Sequence, residues 1–337
     1  MKIWKSIREN YQNELILFGI FVGLFIVMGI ISPDKFLSAG NLQTMCYQMP
    51  EFGLMALAMM AAVLTGGMNL SICTGATVAS IVAGCFMATT FANENPAIGV
   101  FVGIIITVAV AAVTGLLNGV LIAYVGVTAM LVTLGTKLLF EGLGLVVTKG
   151  GSLAGFPPLF LKVGSGALLG IPYTILIYIV AIVITYFLFE RSVWGTQVYM
   201  VGCNETATRF SGIATRRTVL LVYIYSGIMY GLSGVLISSR YCSAKTDYGS
   251  SYLMQAVTAV VLGGTSISGG SGTVAGTVIA VAIIQVVSNG LNLVGVNRYM
   301  INMITGIILI AVLIVRYVSG ALSDKKKIRE RAARARA

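Results

Sequence analysis

Ten apolar runs divide this 337-residue chain, and nine of them are long enough for a helix to cross a bilayer. A hydrocarbon core about 30 Å thick takes about 20 residues of helix. The runs cover residues 15–32, 46–65, 75–91, 97–125, 128–147, 172–189, 218–239, 252–262, 273–294 and 299–315. With 57% hydrophobic and only 10% charged residues, the chain has more apolar surface than one water-soluble core can hide. The bilayer is therefore its main solvent, and the expected fold is all-α and polytopic, with about ten transmembrane helices.

The eighth run is too short to span and is followed by glycines, which predicts a broken helix. Membranes admit such a break only where the backbone is buried in protein or lines a cavity. The first run ends at Ser32-Pro33-Asp34 without a cleavage signature and is read as a mature helix. Basic residues gather at Lys2, Lys5 and Arg8, between Arg191 and Arg217, and from Lys325 to Arg336. The positive-inside rule puts all three on the cytoplasmic side, which requires an even helix count and leaves the 150–171 connection outside. The expected organisation is one transmembrane domain over 1–322, with a cytoplasmic segment at 190–217, and a basic tail over 323–337 that touches lipid or serves as a topology signal.

Chemistry on the chain itself is poorly supported. Histidine is absent, and the five cysteines have no C-x-x-C or Cys/His spacing, so metal and redox sites lack ligands. The net charge of +11 sits at the termini and between apolar runs, which argues against a nucleic-acid surface. No nucleophile and base constellation points to an enzyme.

Two glycine-rich stretches resemble each other. AVLTGGMNLSICTG (62–75) aligns with AVVLGGTSISGGSG (259–272), pairing Gly66 with Gly263, Gly67 with Gly264 and Ser71 with Ser268. That offset superposes helices one to four on seven to ten, as parallel repeats of a duplicated core; chance likeness of small-residue segments is the competing explanation. In 261–277 six glycines interrupt apolar sequence, and Ser266 and Ser268 can satisfy freed backbone groups or a polar solute. The Lys-Ser/Thr end of a phosphate-binding loop is missing, so any ATP would have to be hydrolysed elsewhere.

The polar stretch 201–217 has helical length and offers Ala207, Phe210 and Ile213 as anchors and Arg209 for ion pairing, either as a docking helix or as an amphipathic surface loop. Asn289, Asn292 and Asn297 lie near the end of the ninth run, where amides suit hydroxyl-rich solutes or cap helix ends; Asn297 is read as a cap. Lys137 and Glu141 form an i, i+4 pair within the fifth run, a lock between helices or, in the sharper reading, an ion site. Glu51, beside Pro50, approaches a polar pathway or rests at the interface, and is not read as a binding residue.

LTGGMNLSICTG, VGCNETATRFSGI, AVVLGGTSISGGSGTVAGT and NGLNLVGV, in this order along nearly the whole chain, resemble the signature stretches of the ribose-type permeases of bacterial ABC importers. The resemblance implies a ten-helix inner-membrane subunit paired with a second permease, identical or not, a cytoplasmic ATPase that holds ATP and magnesium, and an external substrate-binding protein. It implies that Gly202, Asn204, Ala207, Ser211, Gly212 and Ile213, with Arg209 beside them, meet the ATPase. The two glycine-rich segments and the amides of the ninth run make Gly66, Gly67, Asn69, Ser71, Gly263, Gly264, Ser266, Ser268, Asn289 and Asn292 the expected pathway and gate residues. The family commonly has aspartate where this chain has Asn69, which removes a charge and keeps a hydrogen-bonding side chain. The expected function is import of a monosaccharide such as ribose or galactose, with no cofactor on this chain. Nucleosides or another small polar solute form one alternative, and an ion-coupled carrier resting on Lys137 and Glu141 forms another.

Overall fold

The computed structural model describes residues 12–168, 170–297, 299–311 and 314. The basic N-terminal residues and the 323–337 tail of the sequence reading lie outside that range. Helices dominate the described residues. Apart from the short helices Pro33–Phe36 and Thr90–Glu94, they are in chain order α1 (Gln12–Ile31), α2 (Ala39–Leu64), α3 (Ile72–Met87), α4 (Pro96–Val120) and α5 (Ala129–Thr148). Next come α6 (Pro158–Ser165), α7 (Tyr173–Tyr186), α8 (Val193–Cys203), α9 (Glu205–Phe210), α10 (Thr215–Tyr241), α11 (Tyr252–Leu262) and α12 (Val274–Leu293). A final apolar helix, α13, covers Tyr299–Ala311. One π turn extends α4 through Leu121–Val125 and another extends α7 through Phe187–Arg191. Extended pairing is limited to the hairpin Ala167–Leu168 with Ile171–Pro172 and a bridge between Leu153 and Ala244.

Seven of these helices are long and apolar enough to span a membrane, and α3, α11 and α13 are shorter apolar helices. Together they are the ten expected elements of a polytopic membrane protein. The eighth is short as anticipated: 11 residues of α11 rise about 16 Å, roughly half the hydrocarbon thickness.

Burial separates the centre from the lipid face. The apolar window of α2 is 83% buried and that of α10 72%, against 11% for α1. Close packing at the centre depends on small residues. A Cβ added to Gly115 of α4 would lie 2.4 Å from the Tyr223 carbonyl of α10, and one on Gly227 would lie 2.5 Å from the Ala111 carbonyl. Pro50 sits inside α2 and provides no N–H for the Cys46 carbonyl. The Thr174 hydroxyl of α7 donates to that carbonyl instead, at 3.2 Å.

The end that carries Arg191, Arg209, Arg216 and Arg217 is called the basic end below. α2 runs towards it and α11 runs beside α2 in the same direction. Phe52 and Tyr252 are neighbours at the start, with ring centroids 6.2 Å apart, while Gly270 reaches Leu64 at the finish. The duplicated segments are thus parallel. Both helices end in the same motif: Gly66 donates to the Val63 carbonyl and Gly67 to that of Ala62, as Gly264 does to Val261 and Thr265 to Val260. The equivalent left-handed residues are Gly66 (φ 81°) and Gly264 (φ 104°), so the structural match is one residue out of step with the Gly66–Gly263 pairing read from sequence.

Candidate translocation site

Polar side chains collect on one face of several apolar helices, away from the basic end. On α2, Asn41, Gln48 and Glu51 are spaced seven and three residues apart, and on α12 Gln285, Ser288, Asn289 and Asn292 follow i, i+3, i+4, i+7. The two stripes meet as an amide ladder: Asn289 Nδ2 donates to Asn41 Oδ1 at 2.9 Å and Gln285 Nε2 to Gln48 Oε1 at 3.3 Å. Gln255 from α11, Tyr241 and Arg240 from α10 and Asn302 from α13 complete the wall of a cavity of about 190 Å³.

At its floor, Arg240 Nε lies 2.9 Å from Glu51 Oε1. The Tyr252 hydroxyl donates to Glu51 Oε2 at 3.1 Å, and Arg240 Nη2 donates to the Tyr241 hydroxyl at 3.1 Å. Glu51 is 1% exposed and Arg240 21%, so the cation faces the cavity with its counter-charge behind it. The Ser288 hydroxyl, also in the wall, has no hydrogen-bond partner among the described residues. Asn292, Asn302 and Tyr241 remain exposed at the rim. Amides facing hydrocarbon are costly, so this face belongs against water or another protein rather than lipid.

The expected pathway residues fall in three places. Asn289 and Asn292 line the cavity. Gly66, Gly67, Gly263, Gly264, Ser266 and Ser268 lie at the basic end, where the two repeat loops touch: Gly270 N–H donates to the Leu64 carbonyl at 3.0 Å, and a Cβ on Gly66 would come within 3.2 Å of the Ser268 carbonyl. Asn69 and Ser71 are fully buried in a knot between α3, α4 and α10. Asn69 Nδ2 donates to Ser226 Oγ at 3.0 Å, the Ser71 hydroxyl to Asn69 Oδ1 at 2.8 Å, and Asn118 Nδ2 to Ser71 Oγ at 2.9 Å.

The 201–217 segment holds the end of α8, the whole of α9 and, after a turn, the start of α10 rather than one helix. Asn204 is extended (φ −164°, ψ 103°), and its side chain caps α9 by accepting the Ala207 N–H at 2.9 Å. Gly212 (φ 84°) then turns the chain into α10. Ala207, Arg209 and Ser211 are exposed, Phe210 is 83% exposed and Ile213 is half-buried. Gly202 points inward: a Cβ there would lie 2.0 Å from the Leu64 carbonyl and 2.4 Å from Gly270 N. The exposed segment therefore rests directly on the contact between the repeat loops.

The proposed ion pair in α5 does not form. The ion pairs among the described residues are Glu51–Arg240 and Lys245–Asp247, and Lys137 with Glu141 is not one of them. Two long side chains on one partly exposed helix face are not held together, whereas Glu51 and Arg240 are brought together by α2 and α10. Asn297 is a cap, as expected: it accepts the Tyr299 N–H at 3.0 Å at the start of α13. Sequence reasoning missed Gln48, Arg240, Gln255, Gln285 and Asn302. The helical spacing of Gln285 with Asn289 and Asn292 was a visible signal for one wall; nothing in sequence joined Arg240 to it.

Comparison with known proteins bears on the whole chain. A family described as the permease component of branched-chain amino acid transport systems matches residues 41–313. The ribose import permease protein RbsC of Bacillus subtilis (strain 168) is 37% identical over 317 residues, 92% of this chain and 95% of its own length. The probable ABC transporter permease protein y4mJ of Sinorhizobium fredii is 34% identical over 93% of this chain and 92% of its own. The autoinducer 2 import system permease protein LsrD of Yersinia enterocolitica is 33% identical over 93% of this chain and 94% of its own. No solved structure matches. With its ten apolar helices, paired glycine-rich loops and this whole-length similarity, the chain belongs to the ABC-importer permease family that includes the ribose and autoinducer-2 import permeases.

Proposed function

We propose that this chain forms half of the translocation pathway of an importer for a monosaccharide such as ribose or galactose. The observation that carries the reading is the amide-walled cavity of about 190 Å³ inside otherwise apolar helices. Amides offer donors and acceptors together, which is the demand of a solute made mostly of hydroxyls. Its polar rim calls for a second permease subunit, identical or related, to cover the face that lipid cannot.

In this reading the basic end is cytoplasmic, both termini are cytoplasmic and the membrane is the bacterial inner membrane. A separate ATPase, holding ATP and magnesium, docks on the exposed turn of Ala207, Arg209, Ser211, Gly212 and Ile213. Gly202 and Asn204 transmit its motion to the glycine loops, whose contact shuts the pathway below the cavity. An external binding protein delivers the solute to the opposite end. This chain then supplies alternating access and no covalent chemistry.

The test is uptake of labelled ribose, galactose and nucleosides into proteoliposomes, with and without the ATPase, binding protein and internal ATP. Sugar uptake that requires all three is the expected result. Uptake of a nucleoside alone moves the assignment to that solute, and uptake by the chain alone on an ion gradient overturns the importer.

A further inference from the structure

We infer that the Glu51–Arg240 pair is a charge filter, which makes the cavity accept uncharged, hydroxyl-bearing solutes and refuse anionic ones. The inference rests on the pathway reading above and adds the residues that discriminate. Among the described lining residues Arg240 is the one permanent charge, and the rest of the wall is amide, hydroxyl and apolar. A lone guanidinium in a low-dielectric cavity would draw in phosphate or carboxylate groups strongly. Here the 2.9 Å contact with Glu51 cancels it.

The geometry does more than cancel charge. Glu51 is ion-paired through Oε1 with Arg240 Nε, accepts the Tyr252 hydroxyl on Oε2 and is 1% exposed, so it presents no carboxylate to repel or bind a solute. Arg240 uses Nε on Glu51 and Nη2 on the Tyr241 hydroxyl, and guanidinium donors are left over on its exposed side. With the unpartnered Ser288 hydroxyl and the amides of α12, the cavity offers a solute hydrogen bonds without net charge. A neutral sugar can use them. Among the described lining residues a sugar phosphate finds no uncompensated cation to meet the charge it would bring into the membrane interior.

The experiment is saturation-transfer NMR on the full-length chain in lipid nanodiscs, with D-ribose and D-ribose 5-phosphate as probes. The wild type should transfer to ribose and roughly tenfold less to the phosphate. Glu51→Gln frees the Arg240 charge and should raise transfer to the phosphate about tenfold, while the double change Glu51→Gln with Arg240→Gln should return it to the wild-type level. A role confined to locking α2 to α10 moves none of these ratios. Glu51→Gln without any gain for the phosphate overturns the inference. Equal transfer to both probes in the wild type does so without any variant. A gain for the phosphate in Glu51→Gln, with no transfer to ribose in any form, keeps the filter and overturns the sugar assignment instead.

Discussion

The backbone N–H of Gly270 donates to the carbonyl of Leu64 at 3.0 Å, tying the loop after α11 to the end of α2. Gly202 of α8 packs against both partners of that bond. The three residues form a junction with no room for a side chain.

Gly202→Ala is expected to break it. Its Cβ would stand 2.0 Å from one backbone atom and 2.4 Å from another, neither of which can rotate away. Overpacking of this kind costs about 1–3 kcal/mol, which thermal unfolding of the solubilised protein should register together with reduced uptake. An unchanged melting temperature and normal transport would show that the junction yields freely.

Gly212 stands in open space, and its positive φ is the only constraint there. Alanine replacement of Gly212 together with Ile213 strains one turn by about 1–2 kcal/mol and removes an anchor, without touching the membrane core. Membrane-inserted protein should stay at its normal level while ATP-driven uptake disappears; retained uptake would count against ATPase docking at this turn.

Breaking the buried ion pair on one side leaves a charge without its partner. Glu51→Leu should destabilise by about 3–5 kcal/mol, and adding Arg240→Met should recover most of the loss. Denaturation of the two single variants and the double in one detergent measures the coupling, and additive losses would mean that the two charges do not support each other.

Asn69 serves three hydrogen bonds in a fully buried site. Asn69→Leu strands Ser226 and Ser71 and should cost about 1–3 kcal/mol for each group left unsatisfied. Asn69→Asp should cost less, because the Ser226 hydroxyl can reverse and donate to the carboxylate. The order of melting temperatures, wild type above Asp above Leu, is the readout.

Orientation can be tested with cysteines already present. Cys203 is exposed at the basic end and Cys73 is buried. A membrane-impermeant maleimide should label Cys203 in inside-out vesicles and spare it in right-side-out ones, with labelling reduced once the ATPase is bound. The opposite pattern reverses the assigned topology.

Much of the fold was legible because the bilayer sets a simple length criterion. Each of the ten apolar runs became a helix in its expected place, and the short eighth run followed by glycines became the half-length α11 with its tight turn. The likeness of the glycine motifs was legible but not their register, since the equivalent left-handed residues are Gly66 and Gly264 rather than Gly66 and Gly263. What sequence could not supply was pairing across helices. Lys137 and Glu141 looked like partners because they are near in sequence, yet the ion pair that joins two of the described long apolar helices links Glu51 to Arg240, 189 residues apart by their numbers. Asn69 and Asn289 looked alike as polar groups in apolar segments, but one is locked in a closed hydrogen-bond knot and the other faces a cavity. Helix length and amphipathic spacing are properties of consecutive residues and can be read along the chain. Which polar stripes meet, and whether they enclose space or fill it, depends on how helices from distant parts of the chain pack, and only the tertiary structure decided that.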